Sequence, residues 1–190
     1  MRYQADECRD GKRVIAALEY AIANFAATAE LRASSVSADF VPPPAWYDME
    51  TDVAHSAMAS RVLLRSETPP PTFVSNTVIQ YFTLGDIDPI RLSTIDTTLD
   101  IQALPGATVI DHTVGRNGYL CADYGEYVAD GLNLHVRRSQ LAYLTSTGQS
   151  ALAIFTATAP VPVWETVESE IREMEDLWLT KISTPTSGDS

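Results

Sequence analysis

The side chains able to do chemistry are few and widely spaced. The chain holds three histidines, His55, His112 and His135. Imidazole serves both metal ligation and proton transfer near neutral pH. Their surroundings predict a loop for His55 and two different strands for His112 and His135. No two stand four residues apart on one helix and no cysteine is near enough to complete a tetrahedral zinc set. A functional role would require two of them to converge with a carboxylate such as Asp111 or Asp123; otherwise each is an ordinary surface or core histidine. Asp123, Glu126 and Asp130 put acids on one predicted strand and its turn. Paired carboxylates do acid/base work when one is buried. Asp123 and Glu126, three apart, point to opposite faces of a regular strand, which makes them read as solvated acids on an exposed surface. Serines are common, but no Gly-x-Ser-x-Gly elbow is present. Gly115-x-x-Gly118 lies between two strands and opens no helix, so it reads as a turn and not a phosphate loop. These residues predict no catalytic site, no metal and no cofactor.

The aromatic residues suggest binding. Trp46, Tyr47, Phe73, Tyr81, Tyr124, Tyr127 and Tyr143 lie around proline-rich loops and strands, and such side chains serve as core or as anchors for a protein partner. Trp46 and Tyr47 are expected to be exposed, in a loop after Pro42-Pro43-Pro44, because proline cannot donate to a ladder. Phe73, Tyr124 and Tyr127 complete the candidate binding set, and Leu18, Ile22 and Phe25 offer an apolar stripe on an N-terminal helix. That stripe either covers a face of the chain's own sheet or meets another chain.

The elements that must position these residues follow from periodicity. Asp10 to Arg32 carries Val14, Ile15, Leu18, Ile22, Phe25 and Ala29 at helical spacing. Val36, Ala38 and Phe40 alternate as a half-buried strand that the prolines end. Met58 to Leu64 and Val74 to Leu84 read as strands, and Asp88-Pro89 opens a helix that Pro105-Gly106 stops. Then comes a meander, Thr108 to Gly115, Tyr119 to Ala129, Leu132 to Thr145 and Ser150 to Thr158, broken at Arg116-Asn117-Gly118, Asp130-Gly131 and Thr147-Gly148. Asn-Gly and Asp-Gly tolerate the positive φ of hairpin turns, so these strands should pair antiparallel. The length of Leu132 to Thr145 suggests a bulge, placed at Arg137-Arg138. From Val163 to Ile182, Trp164, Val167, Ile171, Met174, Trp178 and Ile182 recur at steps of three or four, with Glu165, Glu168, Glu170, Glu173 and Asp176 opposite, the pattern of a helix packed on one face.

The predicted fold is α+β, an antiparallel sheet of about six or seven strands carrying helices on its faces. A helical extension over residues 1–35 would precede the domain at 36–183, and a small polar tail at 184–190 should be disordered. With 190 residues, 45% hydrophobic and 20% charged, the composition is that of one globular domain. A net charge of −12 opposes binding to nucleic acid or anionic lipid. Cys8 and Cys121 form neither a disulfide framework nor a zinc pattern. No stretch reaches the length of a membrane span, and the opening residues lack the apolar run of a secretory signal, so a cytoplasmic location is expected.

The order of the cues resembles a known group. Pro42-Pro43-Pro44-Ala45-Trp46 stands where that group has a Pro-Pro-Gly-Trp-like turn, and Phe73 to Ile79 is similar to its Phe-x-x-Asn-x-x-Val strand. Leu104-Pro105-Gly106, the ending Ala153 to Pro160 and the tryptophan-led helix at Trp164 follow in the same order. Over residues 38 to 182 the chain resembles the LpqN/LpqT lipoprotein family of mycobacteria and the wider PsbP-like fold. It departs in having Ala45 for the family glycine and no lipobox before Cys8, and the first helix lies outside the resemblance. A looser similarity, of circumstance more than motif, is to the Eag-type adaptor chaperones of bacterial type VI secretion. The resemblance implies an α/β/α sandwich acting without catalysis, as an adaptor or chaperone that buries an apolar helix or strand of another protein, serving a secreted partner or a larger assembly. A homodimer is compatible with this. The alternative is a small-ligand or lipid carrier with a cavity between sheet and helix.

Overall fold

The computed structural model describes residues 16–32, 39–115 and 119–183. Its centre is β8 (Ser150–Pro160), paired antiparallel with β4 (Asn76–Thr83) on one side and β7 (Leu132–Leu144) on the other. Flanked by strands and covered on both faces, β8 is buried nearly throughout, which its small and apolar composition permits. Ala153, Ala157 and Ala159 alternate with the larger Phe155 along one face and let a helix approach closely. Outward from β7 come β6 (Leu120–Ala129) and β5 (Thr108–Val114); outward from β4 come β3 (Arg61–Arg65) and β2 (Trp46–Asp48). The strand order is β2-β3-β4-β8-β7-β6-β5. An eighth strand, β1 (Glu30–Leu31), pairs with β4 beyond the end of β3. The α+β sheet is as predicted, and the strands beyond the expected number are the two- and three-residue β1 and β2.

The Asp130-Gly131 turn has both residues at positive φ, 50° and 77°. That is the backbone of a two-residue hairpin, which closes Ala129 against Leu132. No bulge occurs at Arg137-Arg138; β7 runs in unbroken register against β6 and β8. Regular alternation sends the two arginines to opposite faces, where each finds a carboxylate, Glu175 for Arg137 and Asp100 for Arg138. The irregularity falls instead in β5, between Val109 and Asp111.

One face of the sheet carries α5 (Trp164–Ser183), reached through a short 3-10 turn at Val161–Val163. Its Val167, Ile171, Met174 and Trp178 are fully buried against Ile79, Tyr81 and Phe155, as the periodicity predicts. The other face carries α1 (Ala17–Phe25), α2 (Thr51–Ser56), α3 (Pro89–Leu92) and α4 (Leu99–Gln102). The helix predicted from Asp88 to Leu104 is thus two short ones. Between them Ser93 and Thr94 hydroxyls bond backbone carbonyls, and the Asp96 carboxylate accepts from Thr98, the local competition that interrupts helices. The predicted strand at Met58 begins only at Arg61, because Met58 has a φ of 58° in the turn after α2. His55 lies in α2, not in a loop. Of the strand predicted at 36–40, residues 36–38 lie outside the described residues and Phe40 is not in a strand, although it is buried under the Arg61 guanidinium. The helix predicted from Asp10 to Arg32 is described from Ala17 and ends at Phe25, where Ala26 takes a φ of 56°, and Glu30–Leu31 pair with β4 as β1 instead. Residues 1–15, the turn at 116–118 and the tail at 184–190 lie outside the described residues. Among the described residues no helix is long and apolar enough to cross a membrane.

Candidate functional site: an aromatic cleft and a buried charge cluster

Counting outward from Ala129 opposite Leu132 puts Tyr124 opposite Arg137 and Glu126 opposite His135, all on the face that α5 covers. The helix lies over the centre of the sheet and leaves the β5 to β7 side open. The result is a cleft of about 630 Å³ between these strands and the first turns of α5, lined by Asp111, Tyr124, His135, Arg137, Val161, Pro162, Trp164, Glu165, Glu168 and Arg172.

Its floor is aromatic. The Tyr124 and His135 rings stack at 5.2 Å and 21°, and Trp164 lies 5.4 Å from the first and 5.1 Å from the second. The Tyr124 hydroxyl is 2.9 Å from His135 Nδ1, and Glu126 Oε1 stands 3.5 Å from the same nitrogen. Burial, and then the charges of Glu168 and Glu126, push the Tyr124 phenol up, so it stays protonated at neutral pH. The arginines of the cleft are engaged: Arg137 donates to Glu175 at 2.6 Å, and Arg172 to Glu168 at 2.7 Å. Glu175 also accepts from the Ser139 hydroxyl and is nearly buried beneath α5. Among the described residues neither Asp111 nor Glu165 has an ion pair. Acids left without a cation of their own attract one from a partner.

The opposite face holds a second polar centre. Asp123 is buried, not solvated as its spacing suggests, and its Oδ1 is 2.6 Å from Nδ1 of the partly exposed His112. The two residues are directly paired across β5 and β6, so one histidine, not two, meets this carboxylate. On β7 directly opposite Asp123, Arg138 pairs with Asp100 at 3.1 Å and donates to Thr156. Burial raises the Asp100 pKa, against the attraction of Arg138 and the Ala17 N–H at the start of α1. Burial likewise raises the Cys121 thiol pKa and keeps it unreactive. Among the described residues no hydroxyl or thiol bonds to His112, and no group of three or more His, Cys, Asp and Glu side chains could hold a metal.

The predicted binding residues do not form one surface. Tyr124 lies in the cleft, whereas Tyr127 is on the other face. Trp46, expected in an exposed loop, is in β2 and 4% exposed. It packs in the α5 core because its indole N–H donates to Glu170 at 2.7 Å, leaving only Tyr47 at the surface. Glu170, expected on the solvent side of the helix, therefore points toward the sheet and also receives Arg65 at 2.9 Å. Hydrogen bonding from Arg65 first, and from Trp46, holds its carboxyl below the usual range despite burial. Phe73 is half-buried in the loop before β4. Leu18 and Phe25 pack into the core beneath α1, while Ile22 is exposed. The cleft roles of His135, Trp164, Glu165 and Asp111 escape a reading of elements one at a time; hairpin counting from Asp130-Gly131 would have assembled the sheet part.

The order of strands and the division of helices define an α+β protein with an open antiparallel sheet, one long helix on one face and short helices on the other. A protein of this class is LpqN, described as involved in cell envelope biogenesis of Mycobacterium tuberculosis. Its crystal structure matches with a TM-score of 0.56 and 16% identity, over 79% of this chain and 82% of that one. The likeness is one of fold, and at that level it agrees with the resemblance read from the motif order. No protein-family model matches the chain, and no curated protein does.

Proposed function

We propose that the chain is a non-catalytic protein-binding module, an adaptor or chaperone for a secreted partner or a subunit of a larger assembly, and that the cleft over β5 to β7 is its docking site. The observation that carries this reading is the aromatic floor of Tyr124 and His135, backed by the buried Trp164, in a cleft rimmed by Asp111 and Glu165 at the uncovered end of an otherwise packed sheet. Aromatic anchors with a charged rim are the composition of protein interfaces. A protein of like fold, LpqN, is involved in cell envelope biogenesis.

The alternative carrier receives less support. The space between α5 and the sheet, where a carrier would hold its ligand, is occupied by Val167, Ile171, Met174, Trp178 and Phe155 in direct contact. The test is affinity capture from the native cell with the intact chain beside a Tyr124→Ala, Glu165→Lys variant, with mass spectrometry of the retained material. A defined protein held by the first and released by the second is expected. Retention of no protein, together with a small molecule carried through native mass spectrometry, would replace this reading with the carrier.

A further inference from the structure

We infer that the free edge of β5 accepts an extended, basic segment of the partner as an added strand, with alternate Lys or Arg side chains entering the cleft. This rests on the protein-binding reading above and specifies the partner's chemistry.

β5 ends the strand order, and among the described residues no strand pairs with its outer edge. The Gly115 N–H donates to the Leu120 carbonyl, so the two-residue alternation of an antiparallel ladder turns Thr113 and Asp111 toward β6. His112 and Val114 then present their N–H and C=O groups outward, a two-residue repeat ready for another chain. The strand is exposed at every position but Val109, with Ile110 52% and Val114 53% exposed. Sheet edges of this kind recruit strands unless blunted, and here the irregularity at Val109 to Asp111 affects only the first half.

Charge selects the occupant. Side chains of an added strand alternate between the faces, so every second one lies beside Asp111 on the α5 side. There it meets Asp111, Glu165 and Glu168 in the cleft that Tyr124 also lines, while Arg137 and Arg172 are held by Glu175 and Glu168. A cation gains the carboxylates; an acid meets repulsion here and from a chain of net charge −12.

Two end-blocked peptides test this on the full chain, one alternating Thr with Lys and one alternating Thr with Glu, by fluorescence anisotropy at low and high salt. The Lys peptide should bind at least about tenfold more tightly than the Glu peptide at low salt, and its advantage should shrink as salt screens the charges. Asp111→Lys with Glu165→Lys should abolish or reverse the preference. Val114→Pro removes one outward N–H and leaves the β5 to β6 ladder intact, so it should weaken the Lys peptide without unfolding the chain. In the unsubstituted protein, amide exchange at His112 and Val114 should slow when the peptide binds, a readout independent of whether any variant folds. Equal affinity for the two peptides, no binding of the Lys peptide at millimolar concentration, or unchanged exchange at His112 and Val114 would each overturn strand addition. A partner that is captured through the cleft yet retained by Val114→Pro would overturn it while leaving the protein-binding reading intact.

Discussion

Under α5 the sheet meets one helix of 20 residues whose Val167, Ile171, Met174 and Trp178 are fully buried, whereas its opposite face is covered by pieces of four to nine residues that enclose Asp100, Asp123 and Arg138. A long periodic helix is held by apolar area along its whole length, and its ionic contacts, Glu170 and Glu175, tie it down at points. Helices of one or two turns have too little apolar surface to fix their own place. On that face directional bonds assist: the Asp100 carboxylate joins α4 to Arg138 on β7 and to the first N–H of α1. One face is therefore set by area, the other in part by charge, and the two should respond differently to substitution and to pH.

The largest effect is expected where area dominates. Trp178→Ala should cost about 3–5 kcal/mol in urea unfolding, the transfer loss of a buried indole plus the cavity left beside Phe155. If it costs less than substitution on the charged face, the contrast fails. Next, Arg138→Met should cost about 3 kcal/mol, because Asp100 would remain largely buried without its cation. Adding Asp100→Leu should recover much of that loss, since a buried pair replaced as a unit by apolar groups is often neutral. A double-mutant cycle measures the recovery, and an additive double variant would remove the charge network from the account.

Smaller and opposite effects are expected in pH titrations. The Glu170 pKa is lowered on folding, so its contribution is present above the unfolded pKa and lost as pH falls through the folded value. Glu170→Gln should flatten the acid limb of stability against pH. The Asp100 pKa is raised, so its contribution is present below the unfolded pKa and lost as pH rises through the folded value. Asp100→Asn should remove that decline, and equal limbs in both variants would erase the contrast. The smallest change should be Ile22→Ser on the exposed side of α1, within about 0.5 kcal/mol by the same unfolding measurement.

Much of this was legible in the residues. The apolar repeat from Trp164 to Ile182 lies within α5, and Asp130-Gly131 supplies both positive-φ positions of the β6 to β7 hairpin. Both are short-range signals, in which the residues that decide the structure are neighbours in the chain. Three prolines before Trp46 announce a loop, while its burial rests on pairing with Arg65 across β2 and β3 and on Glu170, which only the packing of α5 brings to it. Strand spacing assigns Asp123 a face without saying what covers that face, so its burial is not legible locally.

The sequence by itself determined the α+β class, the long helix and the antiparallel meander, since periodicity and turn chemistry act over a few bonds. Only the tertiary structure decided which acids are buried, that His112 meets Asp123, and that Tyr124, His135 and Trp164 form the floor of one cleft. Those outcomes depend on which strands become neighbours and how far a helix extends over them. They are set by the burial of the whole core, and no local run of residues encodes them.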